Sequence, residues 1–118
     1  MTKAQDKERD AAVHKAGILK ALAHPVRIRL FEALADGEKT AGDLAQITGE
    51  KDANTSRHLS VLKTAGLVAT RKEGLNVYYT NIMPCLIPAL SCVSQAVCTI
   101  ADEHMKAAAC IRRFPART

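Results

Sequence analysis

The chain lacks tryptophan and has only two phenylalanines and two tyrosines in 118 residues. Apolar residues make up 47%, enough for one domain core, but that core must be aliphatic. No apolar run reaches the roughly 18 residues needed to cross a bilayer as a helix. The opening MTKAQDKERD is charged and leads into no apolar segment, so it does not read as a signal peptide, and a cytoplasmic protein is expected. The first 84 residues contain no cysteine; the four in the chain are Cys85, Cys92, Cys98 and Cys110. In a reducing compartment these are expected as thiols, open to metal or redox chemistry. Also missing are a Gly-rich phosphate loop, a nucleophile–base pairing and a carboxylate pair, so no enzyme is expected.

What is present centres on NTSRHLSVLKTAGLV, Asn54 to Val68. Leu59 and Leu62 mark the buried side of a short helix, and Gly66 ends it because glycine takes a left-handed backbone without penalty. Asn54, Arg57, Val61 and Thr64 fall on the opposite side. Asn and Arg read base edges in a major groove, and a short apolar group such as Val61 meets a thymine methyl; the alternative is a surface helix with one stray valine. Thr55, Ser56, His58 and Ser60 complete the candidate DNA-contacting set on this helix, with His58 beside the reading face, where it contacts backbone or packs. A net charge of +5 suits a polyanionic partner without deciding for one.

The neighbours sharpen this reading. Residues 1–10 alternate acids and bases and read as a frayed helix start or a disordered arm. Residues 11–22 form a helix with Val13, Ala16, Leu19 and Leu22 as its stripe. Pro25 opens the helix VRIRLFEALAD, with Ile28, Phe31 and Leu34 inward. Arg27 and Arg29 are candidates for phosphate contacts or for an ordinary solvated face. Thr40 caps the next helix, with Asp43 in capping-box position and Leu44 and Ile47 inward. It stops at Gly49; GEKDA is the turn, and the reading helix follows. Two short helices joined by a polar turn are a helix-turn-helix. LVATRK and LNVYYTN then alternate as strands around a Glu73-Gly74 turn, which makes a wing whose Arg71, Lys72 and Asn76 are placed for phosphate or minor-groove contact.

The last helix begins between Pro84 and Pro88 and runs past Met105. Leu86, Leu90, Val93, Val97 and Ile100 repeat as a heptad seam; opposite lie the small Ala89, Cys92, Ala96 and Thr99. The large face is expected to pack into its own domain and the small face to let a second helix approach closely, which implies a homodimer presenting two reading helices to a palindromic double-stranded operator. The expected fold class is mainly α with a small β-hairpin: one winged helix-turn-helix domain over residues 1–118, with 112–118 frayed, dimerising through its terminal helices.

LKALAHPVRIRLFEAL, SRHLSVLKTAGLV and RKEGLNVYYT, in that order, resemble the ArsR/SmtB family of dimeric winged-helix repressors over about residues 15 to 82, and Ser56 to Leu59 is similar to the arsenical type. The resemblance implies an operator near the protein's own operon and release by an inducer. The family's known sensing sites do not transfer. TAGDLAQIT carries no Cys-x-Cys pair. The zinc positions hold Met83, Cys85, Ala96 and Thr99, so zinc is the less favoured ion. VRIRLFEALAD lacks the cysteine of the redox sensors.

What remains is Cys85, Cys92, Cys98 and, weakest, Cys110. Thiolates select soft ions, and by the family resemblance the inducer would be As(III) or Sb(III), which bind three sulfurs. Within one helix Cys92 and Cys98 lie about 9 Å apart along the axis and about 120° apart in direction, so they do not close a site alone. If the dimer axis crosses near residues 91–92, as the family's shared zinc sites imply, Cys85 of one chain comes level with Cys98 of the other. The alternatives stay open: a redox or reactive-sulfur switch of the same fold, or small buried cysteines with no inducer at all. His104 is a further ligand or a solvated helix residue.

Overall fold

The computed structural model describes residues 2–103. They group into two units, one ending at Met83 and one beginning at Pro84. The first contains α1 (Lys3–Leu22), α2 (Pro25–Ala33), β1 (Lys39–Thr40), α3 (Ala41–Thr48), α4 (Asp52–Thr64), β2 (Val68–Glu73) and β3 (Asn76–Asn81). The second contains α5 (Leu86–Glu103).

Local chemistry sets the helix ends. Thr2 and Gln5 form a reciprocal capping box, so α1 is helical from Lys3 where a frayed or disordered arm was expected. The box satisfies amide groups that a helix start otherwise leaves unpaired. His24 caps α2 by accepting from the Val26 amide through Nδ1 (3.1 Å), with Pro25 behind it at the first helical position. Thr40 and Asp43 form the expected box on α3. Gly49, at φ +74°, ends α3 in the left-handed region that disfavours a β-carbon.

The core is aliphatic around one ring: Leu22, Leu30, Phe31, Leu34, Leu44, Leu59, Leu62, Leu67 and Val68 are buried. Truncating any of the large ones to alanine costs about 2–5 kcal/mol. Several apolar-face assignments shift. Of the α1 stripe only Leu22 is buried, with Ala21 beside it, while Val13, Ala16 and Leu19 are exposed, because only the last turn of α1 meets the core. Leu30 is fully buried and Ile28 only half-buried, because Leu30 and Phe31 lie on an arc of α2, continued by its C-cap Leu34, that excludes Ile28. Ile47 is exposed while Ala45 and Thr48 are buried beside Leu44, again a rotation of the inner arc. α2 also ends earlier than expected, at Ala33, with residues 34–37 in turns.

The sheet has three antiparallel strands in the order β1-β3-β2, one more than the expected hairpin. β1 adds only Lys39↔Tyr79 and Thr40↔Tyr78, too short to carry a period in sequence. Glu73 pairs with Asn76, so the turn is Gly74-Leu75 rather than Glu73-Gly74, with Gly74 at φ +60°.

In the second unit Cys85 immediately precedes α5 and Pro88 lies in its first turn, where a missing amide proton does no harm. Val93, Val97 and Ile100 of the heptad seam, expected to pack into their own domain, are instead exposed in the single chain, which makes the large face, where the small one was expected, an apolar surface left open to a partner. The expected run past Met105, His104, Cys110 and residues 112–118 lie outside the described residues.

Candidate nucleic-acid interface

α3 and α4 are joined by residues 49–51. Thr55, Leu59 and Leu62 form the inner face of α4, at i, i+4, i+7 spacing. Thr55 therefore cannot serve as a DNA contact: it is 0% exposed, and its hydroxyl donates to the Lys51 carbonyl (3.0 Å). Ser56, Arg57 and Ser60 are exposed and Asn54 is half-buried.

The outward face has two halves. In the N-terminal half, Asn54 Nδ2 donates to Glu50 Oε2 (3.3 Å), and Arg57 Nη2 donates to Asn54 Oδ1. Glu50, Asn54 and Arg57 thus form one chain of hydrogen bonds that orients both candidate readers before any contact is made. In the C-terminal half, Ser60, Val61 and Thr64 line an open groove of about 470 Å³ with Gly17, Lys20 and Ala21 of α1 and Arg27 of α2. Val61 is 36% exposed. Its apolar side chain has a local explanation in that groove, so the thymine-methyl role is not needed to account for it. Reading helices contact bases mainly through their N-terminal residues, which favours the Asn54–Arg57 half.

His58 is half-buried and lies against His24, ring centroids 4.4 Å apart. Its pKa is lowered, first by desolvation, then by the charges of His24, Arg27 and Arg57, with Glu50 opposing. Packing, not an exposed backbone contact, is its place in this fold. Arg27 and Arg29 close helix ends. Arg27 Nη1 donates to Ala21 O (2.9 Å) at the end of α1, and Arg29 Nη1 donates to Thr48 O (2.9 Å) at the end of α3. These are carbonyls that a helix C-terminus leaves unpaired.

On the wing, Lys72 and Asn76 are exposed near the tip, and Leu75 at the tip is 100% exposed. Arg71 is engaged within the protein: it forms ion pairs with Glu38 and Glu73, both at 2.6 Å. Sequence reasoning missed Glu38, His24 and Glu50. The four-residue spacing of Glu50 and Asn54 carried a signal, and so did His24 before Pro25 as a cap. Glu38 offered none.

Among the cysteines, Cys85 and Cys92 are free and exposed, whereas Cys98 is disulfide-bonded where a thiol was expected. Among the described residues no three His, Cys, Asp or Glu side chains converge on a metal-sized site, and no helix is long and apolar enough to cross a membrane.

Residues 22–71 match the family model described as a helix-turn-helix domain. The chain is 32% identical over 92 residues to the uncharacterized HTH-type transcriptional regulator Rv0081 of Mycobacterium tuberculosis, covering 77% of this chain and 81% of that one. Among solved structures, it resembles the transcriptional repressor BigR from Xylella fastidiosa at 33% identity and TM-score 0.64, covering 79% of this chain and 96% of that one. It also resembles the homodimeric winged helix-turn-helix DNA-binding domain of Mb0332 from Mycobacterium bovis, a possible ArsR-family regulator. There the identity is 30% and the TM-score 0.70, with 90% of this chain and 94% of that one covered.

Proposed function

Because the chain belongs to the ArsR/SmtB-like family of winged helix-turn-helix transcriptional regulators, we propose that it is a homodimeric repressor that releases its operator when a thiophilic ligand binds cysteines at and around α5. The observation that carries the DNA reading is the outward N-terminal half of α4, where Glu50, Asn54 and Arg57 are linked and pre-oriented beside the exposed Ser56 and Ser60. Pre-orientation reduces the side-chain entropy lost when base edges are contacted. The exposed Val93, Val97 and Ile100 support a partner helix. Burying a valine or isoleucine contributes about 1.5–3 kcal/mol, counted twice across a two-fold interface.

For the inducer we infer As(III) or Sb(III). Cys85 and Cys92 are free and exposed, and Cys98 would join them once reduced, in sites shared between chains. Three thiols meeting As(OH)3 give the tris-thiolate and three waters. The resulting shift in protomer geometry needs a coupling of only about 1–3 kcal/mol to change operator affinity 5- to 150-fold.

A second reading is favoured by the disulfide at Cys98: two thiols surrender two protons and two electrons to an oxidant such as peroxide, which leaves as two waters, and the oxidised dimer lets go of DNA.

The deciding experiment is fluorescence anisotropy of the reduced protein on its own upstream DNA, titrated with arsenite, antimonite, cadmium and zinc, then with peroxide and polysulfide. Release by the trivalent metalloids, lost in Cys92→Ser, supports the first reading. Release only by oxidants supports the second. An absence of DNA binding by the reduced protein sinks both.

A further inference from the structure

Arg71 is held on three sides. Its Nε and Nη2 donate to the two carboxylate oxygens of Glu38, at 3.2 and 2.6 Å. Its Nη1 donates to Glu73 Oε2 at 2.6 Å. Its guanidinium carbon lies 4.8 Å from the centroid of the Tyr78 ring. The planar fork of arginine fits a carboxylate with two parallel bonds, which a lysine ammonium does not, and the ring adds a cation–π contact. Two carboxylates on one guanidinium leave the cluster net negative. A phosphate reaching for Arg71 would be repelled by that cluster and would have to displace a paired, charge-assisted partner.

The same groups span the sheet. Arg71 sits on β2, one edge; Tyr78 lies opposite it in register on β3, the central strand; Glu38 immediately precedes β1, the other edge. β1 and β2 are not neighbours, and β1 is joined to β3 through two residue pairs only. Thr40, the last residue of β1, caps α3, the first helix of the helix-turn-helix. The Glu38–Arg71 pair therefore ties the wing, across the central strand, to the segment that feeds the DNA-reading helices.

We infer that Glu38 is a positioning residue of the DNA interface: through Arg71 it sets the pose of the wing relative to α4, and Arg71 is a clamp, not a phosphate contact. Lys72 alternates to the other face of β2 and is the phosphate-contacting cation of the wing. This inference rests on the DNA-binding reading above.

The test uses the reduced full chain on a duplex that the wild type selects from a random-sequence pool. Affinity is measured from 50 to 200 mM salt for wild type, E38Q, R71Q, the double variant and K72Q. E38Q and R71Q are each expected to weaken binding about fivefold, and the double variant no more than either alone, as for residues in one ion-pair network. The salt slope of R71Q stays at the wild-type value, whereas that of K72Q falls by about 1. Exposed ion pairs contribute little to stability, so the melting curves should coincide; collapse of E38Q would make Glu38 a folding residue and overturn the inference. So would a slope lowered by about 1 in R71Q, or E38Q binding as tightly as wild type or tighter because Arg71 has been freed. If the wild type selects no duplex from the pool, the DNA reading itself fails, a result that does not depend on any variant.

Discussion

The imidazole of His58, on α4, lies against that of His24, which caps α2, with ring centroids 4.4 Å apart and planes tilted by 39°. The His58 pKa is depressed by desolvation and by His24, Arg27 and Arg57, against the pull of Glu50. In the unfolded chain His58 titrates near its ordinary value of about 6.5. As pH falls through that value, the unfolded state takes up a proton that the folded state resists. The stabilising contribution is thus complete above about pH 6.5 and lost as pH falls through the lower folded pKa. Urea unfolding at pH 7.5 and 5.5 should show wild type losing more stability on acidification than His58→Gln. Equal losses would remove His58 as the cause.

Arg57 is bonded to Asn54 one helical turn before it, and Asn54 in turn to Glu50. Arg57→Ala removes the guanidinium and leaves the Asn54 side-chain oxygen without its donor, with only the bond to Glu50 to hold the amide. Operator affinity should fall by about 1–3 kcal/mol, with base preference relaxed at one or two positions. Competition between operator and scrambled duplex measures both. A uniform loss on the two duplexes would make Arg57 a phosphate contact.

Thr55 gives the opposite expectation on the same helix. Its hydroxyl is buried and bonded to the Lys51 carbonyl, and that carbonyl also accepts the Thr55 amide. Thr55→Val keeps the shape and removes one hydrogen bond, so stability should drop by about 0.5–1.5 kcal/mol. Operator affinity and its salt dependence should stay unchanged. A change in salt slope at full stability would put Thr55 on the DNA after all.

Val93 and Val97 lie on the exposed seam of α5. Replacing both with glutamate places like charges where two copies of the seam would meet. Sedimentation equilibrium should then give the monomer mass, and affinity for a two-half-site duplex should fall to that for a half-site. A dimer mass in the double variant would move the interface elsewhere.

Most of the architecture is written in local pattern. The Thr40–Asp43 capping box, the Gly49 and Gly66 stops, the buried Leu59 and Leu62 and the two alternating strands each depend on residues within a turn or a hairpin of one another. Their order alone places a reading helix ahead of a wing. Even α1's full length is local, since Thr2 and Gln5 sit three residues apart; the charged composition of residues 1–10 concealed it.

The tertiary structure decided which side chains remain available once the elements pack. Glu38 and Arg71 are 33 residues apart, His24 caps α2 while His58 lies on α4, and Arg29 reaches the far end of α3. No periodicity encodes such pairs, because side-chain partners across elements are set by how faces rotate against the core. That rotation took Thr55 inward, turned Ile47 outward, laid Val61 beside α1 and closed Arg71 onto carboxylates. The sequence determined by itself that there would be a helix-turn-helix, a wing and a cysteine-bearing last helix. Only the packing separated residues free to meet DNA from residues that hold the reader in place, because availability belongs to the assembled surface and not to any one stretch of chain.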